Sequence, residues 1–503
     1  MDQVVSATVE IVQGKLAGVA RDGVLRFNGI PFATPPVGRL RWRLPEPAQP
    51  WAGVRDASRF GNIAPQVESA SGAVLGGTPG TRSEDCLYLN IQTPGCDDAK
   101  RAVMVWIHGG GFNTGAGSVG TYNGKYLVPR GDIVLVTVNY RLGAFGFLNL
   151  CDATHGKLPG TGAEGLADQI AALAWVRDNI SAFGGDPGNV TIFGESAGGM
   201  SVGALLAAPT ARGLFRKAIA QSGASDIGYG RETSAKVARH LLEKLGSADA
   251  QDAPWETILG IQKDMLAAPR EIGLGMPFAP TSDGTILPSR AIDGVAAGSA
   301  KGVPVMTGTT RDEWRLFTVA ATHLRTMDEA RLRKMVAGLV GEAHADAVLT
   351  GYTDGTPFER WNEVMTDHTF FVPATRLLDA QAAHAPVYGY RFDWTSPMMD
   401  GALGACHALE LGFTFGTCRV KGAAPFFGSG EAAEALSDGM MDAWIAFAKT
   451  GNPSNDTSGA WLRYDAAKRA TMIFGDGVAH MSAAPNEQRR TAWDKVPAAL
   501  IGA

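Results

Sequence analysis

The residues with the clearest chemical potential form a pentapeptide, Gly194-Glu195-Ser196-Ala197-Gly198. It follows the strand-like run Val190–Phe193 and opens the helix-like segment Ser196–Ala207. A serine on so tight a strand-to-helix turn has its Oγ pushed into the open, and small neighbours are needed because the backbones approach closely. A chance match in a chain with 64 glycines is the alternative. The strand-turn-helix setting favours a nucleophilic serine.

A second glycine-rich segment, His108-Gly109-Gly110-Gly111-Phe112, follows the apolar run Ala102–Ile107. Glycines leave backbone N–H groups free of side-chain obstruction, so those of Gly110 and Gly111 can point into a cavity with that of Ala197. Three such donors would stabilise the oxyanion of a tetrahedral intermediate. A flexible turn is the simpler interpretation of these glycines alone. Beside the serine turn, they predict acyl transfer.

A serine nucleophile needs a base, and the base needs an orienting carboxylate. After a serine on such a turn, the acid and then the histidine follow along the chain. His407 is the candidate base because it lies in a loop of small residues after the strand-like run Val387–Phe392. The acid is expected after Val303–Met306, and the residue pattern alone does not separate Asp312 from Glu313.

Cys406 stands directly before His407 and raises the alternative of a cysteine nucleophile. Adjacent residues rarely share the geometry that proton transfer needs. A buried, inert thiol is therefore the expected role of Cys406.

Short apolar runs alternate with helix-like segments along most of the chain. Their apolarity is continuous rather than alternating, which is typical of strands covered on both faces. Besides the apolar runs named above, there are two more, Ile133–Val138 and Ala218–Gln221. Besides Ser196–Ala207, the helix-like segments include Gly165–Asn179 and Ser234–Leu245. The pattern predicts an α/β fold with a large, mostly parallel central sheet flanked by helices. The proline-rich first hundred residues predict small antiparallel strands and loops.

Length and pattern are consistent with one decorated domain over residues 1–503. Within it, residues 312–386 are mainly helical in pattern and are predicted to form a cap beside the sheet. The segment Ser69–Arg82 has few large apolar residues and is predicted to be a surface loop.

Composition excludes several classes of function. Lys and Arg total 45 against 50 Asp and Glu, without a long basic run, so nucleic acid is not an expected partner. The five cysteines show no metal-binding spacing, and neither a metal nor another cofactor is predicted. The chain shows no leader pattern and no long apolar stretch. A cytoplasmic protein without stable membrane insertion is expected.

Five motifs in this order resemble the type-B carboxylesterase/lipase family, which includes bacterial p-nitrobenzyl esterases, animal carboxylesterases and cholinesterases. The motifs are Asp85–Asn90, His108–Phe112, Asn139–Arg141, Phe183–Pro187 and Gly194–Gly198. The resemblance runs from about Val12 to Trp461. It implies the α/β-hydrolase fold and hydrolysis of carboxylic esters through an acyl-serine intermediate.

The resemblance also implies roles for single residues. The glutamate of an Asp-Glu pair matches Glu313 and the base matches His407, while Glu195 and Ser222 are expected beside the triad. A plain turn serine is the alternative for Ser222. Six side chains are candidates for the walls of the substrate pocket, with ordinary core packing as their alternative. They are Phe112, Trp314, Phe317, Phe370, Phe371 and Met398.

Three departures from the family pattern bear on specificity. Ala64 precedes Pro65-Gln66 where disulfide-bearing members have cysteine, so Cys86 lacks that partner. Between Pro65 and Cys86 there is no aromatic residue of the kind that holds choline in cholinesterases. Trp314 occupies a position where relatives commonly have glycine.

We expect the substrate to be a small-molecule ester. We expect the protein to be a monomer or a weak homodimer. Amide or carbamate hydrolysis is the nearest alternative, because an acyl-serine mechanism serves all three. A non-catalytic adhesion module and a membrane-active lipase are alternatives from other classes.

Overall fold

The computed structural model describes residues 6–68, 77–225, 227–246, 250–268 and 274–502. Residues 69–76 of the predicted surface loop lie outside the described residues. The chain divides into two compact units, the first of Met1–Ala218 with Ile227–Ala300 and the second of Ile219–Asp226 with Lys301–Ala503. The single domain over 1–503 and the cap over 312–386 stay predictions.

The first unit carries a mixed sheet. Its strands are β1 (Ser6–Ile11), β2 (Gly14–Arg21), β3 (Val24–Pro31), β4 (Val54–Asp56), β5 (Tyr88–Thr93), β6 (Arg101–Ile107), β7 (Val134–Val138) and β8 (Gly185–Glu195). Their order is β1-β2-β3-β5-β7-β6-β8, with β4 beside β2. The neighbours from β1 to β7 are antiparallel, as predicted for the first hundred residues, and β6 is parallel to β7 and β8.

Strand β9 (Lys217–Gln221) crosses the division between the units, and a short parallel pair follows, β10 (Tyr229–Gly230) with β11 (Thr281–Ser282). The second unit continues with β12 (Val305–Thr310), β13 (Val387–Phe392), β14 (Ala470–Phe474) and β15 (His480–Ala483). Strand β13 is parallel to β12 and β14, and β15 is antiparallel to β14.

Each predicted apolar run lies in or overlaps a strand, but two strands extend four or more residues beyond one end of their runs. Strand β8 begins at Gly185 rather than Val190, in a segment where proline and glycine hide the strand pattern. Strand β12 ends at Thr310 rather than Met306. Its polar end is buried, and there the hydroxyl of Thr307 has a backbone partner, because Oγ1 donates to the carbonyl of Ala220 at 2.7 Å.

The longer helices alternate with the strands. In the first unit they are α1 (Glu164–Asn179), α2 (Ala197–Ala207), α3 (Arg231–Leu245) and α4 (Trp255–Ala267), and in the second α5 (Glu329–Val340), α6 (Glu342–Leu349), α7 (Pro357–Thr366), α8 (Val372–Ala382) and α9 (Glu431–Thr450). The three predicted helices are confirmed as α1, α2 and α3.

Shorter helical segments of four to six residues occur in both units. They are Leu127–Gly131, Gly143–Gly146, Leu150–Ala153, Ala291–Ala296, Arg315–Thr318, Leu411–Thr414, Ala424–Phe427 and Glu487–Ala492. A π-helical turn, Asp367–Phe371, joins α7 to α8. Over the described residues, no helix combines the length and apolarity needed to cross a membrane.

A buried ion pair joins the segment after β7 to helix α1. The Nε and a terminal nitrogen of Arg141 donate to the carboxylate of Asp168 at 2.8 and 2.7 Å, and the backbone N–H of Arg141 donates to it at 3.0 Å. The side chains are 3% and 0% exposed. Because both charges have left water, each depends on the other.

We expect Asp168→Ala to lower the free energy of unfolding by about 3–5 kcal/mol, because it leaves the Arg141 guanidinium buried without its carboxylate. The matched control is Asp178→Ala, which removes the partner of Arg177 in a pair whose side chains are 54% and 48% exposed. That loss should stay below about 1 kcal/mol. Urea unfolding measures the free energy of unfolding of both variants. Equal decreases in the two would contradict the assignment of Arg141 and Asp168 as a stabilising buried ion pair.

Candidate active site

Ser196 occupies the sharp turn between β8 and α2. Its backbone has φ 58° and ψ −127°, outside the regions that an L-residue normally adopts. Holding such a conformation costs of order 1–3 kcal/mol, which the surrounding packing must offset. Glu195 and Ala197 are buried, whereas Ser196 is partly exposed. Of these three residues of the turn, Ser196 is therefore the one that solvent reaches; its role as nucleophile stays a prediction.

Close backbone approach explains the glycines on either side of Ser196. A Cβ on Gly198 would lie 2.0 Å from the carbonyl oxygen of Ile107, at the end of β6. A Cβ on Gly194 would lie 2.6 Å from that oxygen and from the backbone of Gly198. Both distances are shorter than real Cβ contacts allow, so only glycine fits at either position without moving the backbone.

The loop after β6 packs directly on this turn. A Cβ on Gly109 would lie 2.9 Å from the Cβ of Ser196. Gly110 and Gly111 have φ of 112° and 60°, which glycine adopts without strain. In the part of the chain that the structure describes, the backbone N–H groups of Gly110, Gly111 and Ala197 have no acceptor. They are available to a negatively charged oxygen.

His108 supports this loop rather than taking part in chemistry. Its ring stacks on that of Tyr140 with centroids 4.5 Å apart, and its Nδ1 lies 2.9 Å from the carbonyl oxygen of Gly109. The hydroxyl of Tyr140 donates to the carbonyl of His108 at 2.7 Å. Burial lowers the pKa of His108 to about 4, so the ring is neutral at pH 7 and Nδ1–H donates to Gly109.

In the second unit, His407 and Glu313 form a buried pair. His407 Nδ1 lies 2.7 Å from a carboxylate oxygen of Glu313, whose other oxygen accepts the backbone N–H of Thr310 at 2.8 Å. The side chain of Glu313 is fully buried. Because Nδ1 faces the carboxylate, the ring is oriented with Nε2 pointing away from Glu313. This arrangement suits a histidine that transfers protons through Nε2.

Asp312 has a different partner from Glu313. Its carboxylate accepts the backbone N–H of Ala405 at 2.9 Å, and its own N–H donates to the carbonyl of Ala405 at 2.8 Å. A Cβ on Gly404 would lie 2.5 Å from the same carboxylate. Asp312 thus holds the backbone of the loop that carries His407, while Glu313 holds its ring. Sequence spacing offered no signal for this division.

Two of the six expected pocket side chains pack against His407, and a third packs against both of them. Its ring lies 4.7 Å from that of Phe370 and 5.2 Å from that of Phe317, and Trp314 lies 4.8 Å from Phe317. Phe317 is 45% exposed, which leaves an apolar face open beside the histidine.

The other three pocket candidates have different neighbours. Phe371 and Met398 line separate cavities of the second unit. Phe112, in the first unit, is fully buried with its ring 5.0 Å from that of Phe147. Their role as pocket walls stays a prediction.

Ser222 and Glu195 are both buried. The backbone N–H of Ser222 donates to the carbonyl of Gly308 at 2.8 Å, and its Oγ has no hydrogen-bond partner among the described residues. A carboxylate oxygen of Glu195 lies 3.0 Å from where a Cβ on Gly109 would be. Burial raises the pKa of Cys406 well above the ordinary range of a thiol, so this cysteine stays protonated, as expected of an inert thiol.

Solved structures similar to the chain define its fold class. A "PNB esterase" structure matches with a TM-score of 0.85 and 39% identity over 97% of this chain and 100% of that one. A Geobacillus stearothermophilus carboxylesterase matches with a TM-score of 0.87 and 38% identity over the same shares. The chain has the α/β-hydrolase fold, which confirms the predicted fold class.

Sequence comparison is equally extensive. The family model described as the carboxylesterase family matches residues 2–493. A para-nitrobenzyl esterase of Bacillus subtilis is 40% identical over 95% of this chain and 96% of its own length. A phenmedipham hydrolase of Pseudarthrobacter oxydans is 35% identical over 92% and 94%. The chain therefore belongs to the carboxylesterase family and is a carboxylic ester hydrolase.

We expect Gly198→Ala to destabilise the protein by about 1–3 kcal/mol or more and to lower esterase activity, because its Cβ collides with the Ile107 carbonyl. The matched control is Gly260→Ala, at an exposed position inside α4 with open space around the added methyl. That change should stabilise by about 0.5–1 kcal/mol. Urea unfolding and ester hydrolysis measure both variants. A Gly198→Ala protein of normal stability and activity would contradict the close approach.

Proposed function

We propose that the chain hydrolyses small carboxylic esters through an acyl-serine intermediate. Ser196 is the nucleophile, His407 the general base and acid, and Glu313 the carboxylate that orients His407. The observation that carries the proposal is the backbone of Ser196, held at φ 58° and ψ −127° on a turn that only flanking glycines permit. Strain of this kind is retained where function needs it.

In the first half of the reaction, Ser196 Oγ bonds to the ester carbonyl carbon while its proton moves to His407 Nε2. The carbonyl electron pair moves onto the oxygen, which accepts hydrogen bonds from the N–H groups of Gly110, Gly111 and Ala197. The C–O bond to the alcohol then breaks, and the alcohol takes the proton from Nε2. The acyl group remains on Ser196.

In the second half, His407 Nε2 takes a proton from water, and the resulting hydroxide attacks the acyl carbonyl carbon. The bond to Ser196 Oγ breaks, Oγ takes the proton back, and the acid leaves. The buried carboxylate of Glu313, 2.7 Å from Nδ1, stabilises the imidazolium formed in each half. This cycle requires neither a metal nor a cofactor.

The rings of Trp314, Phe317 and Phe370 favour substrates with an apolar group beside the histidine. The name of one relative, para-nitrobenzyl esterase, supports esters that carry an aromatic group. Amide and carbamate hydrolysis remain the nearest alternative chemistry, because leaving-group preference depends on pocket shape.

The decisive experiment is hydrolysis of p-nitrophenyl esters of increasing acyl length by the wild type and by Ser196→Ala. We expect kcat to fall by about 10⁴-fold or more in the variant, because no other group supplies the nucleophile. The acyl length that the wild type hydrolyses best measures the size of the pocket for the acyl group. A variant with the wild-type rate would refute Ser196 as nucleophile. If neither protein turns over any ester, a binding module becomes the better hypothesis.

The two adjacent carboxylates make a matched pair of variants. Glu313→Gln should lower kcat by roughly 10³- to 10⁴-fold, because a neutral amide neither fixes the tautomer of His407 nor stabilises its charged form. Asp312→Asn keeps an oxygen that can accept the Ala405 N–H, so its loss should stay below about tenfold. Steady-state kinetics on p-nitrophenyl acetate separates the two. The reverse order of losses would assign the acid to Asp312.

A further inference from the structure

The π-helical turn Asp367–Phe371 interrupts an otherwise continuous helix formed by α7 and α8. At its end the N–H of Val372 donates to the carbonyl of Asp367, five residues back. Pro373 accounts for the widening, because proline has no N–H for the carbonyl four residues earlier and its ring crowds that carbonyl. Such turns are rare and are found frequently at functional sites.

The C-terminal segment, residues 487–502, binds the first residue of this turn through hydrogen bonds. The fully buried carboxylate of Asp367 accepts from Arg489 Nε at 2.7 Å, with a second guanidinium nitrogen on its other oxygen, and from the Tyr352 hydroxyl at 2.6 Å. Trp493 Nε1 donates to the same hydroxyl at 2.7 Å. A buried carboxylate with these partners is fixed in place.

The same segment also binds the second residue of the turn, His368, through hydrogen bonds. His368 Nε2 lies 3.0 Å from the carbonyl oxygen of Leu500, and the N–H of Gly502 donates to the carbonyl of His368 at 3.1 Å. Burial lowers the pKa of His368 to about 4, so the ring is neutral at pH 7 and Nε2–H donates to Leu500. Two neighbouring residues of the turn are thus tied to the C-terminal segment.

The turn places Phe370 against the ring of His407. The centroids lie 4.7 Å apart with the planes tilted by 32°, and Phe370 is 3% exposed. Phe317 lies 5.2 Å from His407, and Glu313 holds its Nδ1. The imidazole cannot tilt toward Phe370 unless the turn moves.

We propose that Phe370 is a positioning residue for His407 and that Arg489 acts on His407 through Phe370, by holding Asp367 and with it the π turn. This inference rests on the proposed role of His407 as the base. The C-terminal segment thereby contributes to turnover without touching the substrate. Loss of the contact between Arg489 and Asp367 should lower kcat and leave KM nearly unchanged. A misplaced base slows the chemical step but hardly affects substrate binding.

The test is a double-mutant cycle on p-nitrophenyl acetate with Phe370→Leu, Arg489→Lys and the two combined. Each single variant should lower kcat by roughly tenfold with KM within about twofold, because the base is displaced rather than lost. The combined variant should be no slower than Phe370→Leu alone, because residues that act through one contact are not additive. The proposal would be overturned if the fold-loss of kcat in the combined variant equalled the product of the two single losses. A normal kcat in either single variant would also overturn it.

Arg490→Lys is the matched control, because Arg490 lies on the same short helix but pairs with Glu487 and Asp494. It should keep the wild-type kcat. An equal loss of kcat in Arg490→Lys would indicate a general effect of the helix and overturn the assignment to Arg489.

If Arg489→Lys does not fold, Tyr352→Phe replaces it in the cycle. That variant removes the hydroxyl that donates to Asp367 at 2.6 Å and so loosens the carboxylate that Arg489 holds. The same non-additive loss with Phe370→Leu is expected, and additive losses would again overturn the proposal. Failure of the acyl-serine mechanism is recognised separately, because Ser196→Ala would then retain activity.

Discussion

The backbone contact between the end of β6 and the first turn of α2 sets most of the geometry of the first unit. With a Cβ on Gly198 only 2.0 Å from the Ile107 carbonyl, strand, turn and helix meet without any side chain between them. The tight turn places Ser196 at φ 58°, and the neighbouring loop rests on it through Gly109. The free N–H groups of that loop therefore lie beside the serine because the turn excludes side chains.

Several polar groups buried near the site are held by dedicated partners, which gives each of these groups a single orientation. Glu313 orients the ring of His407, whereas Asp312 holds the loop that carries it. In the first unit, Tyr140 supports the carbonyl of His108. Unpaired buried charges and dipoles are costly, so each of these contacts makes alternative positions of the site residues unfavourable.

Several features could be predicted from local pattern. The glycine spacing around Ser196 and the strand runs depend on residues close in sequence or on a regular period, whereas the order of serine, acid and histidine was expected from the fold class that this turn predicts. The polar end of β12 could not be predicted, because the burial of its threonines depends on the neighbouring strands, as where Thr307 donates to the carbonyl of Ala220. The neighbours of Phe371 and Met398 could not be predicted either, because apolarity alone does not distinguish a pocket wall from a core residue.

The sequence by itself determined the fold class, the family and the candidate nucleophile and base, because each is encoded in short motifs whose steric demands are local. The family resemblance already favoured Glu313 over Asp312. Tertiary structure decided what Asp312 holds instead, which aromatic rings pack on His407, and how residues 487–502 hold the π turn. Those outcomes depend on contacts between residues far apart in the chain, such as Asp367 with Arg489. Their energies arise only when the intervening chain has folded, so no local pattern records them.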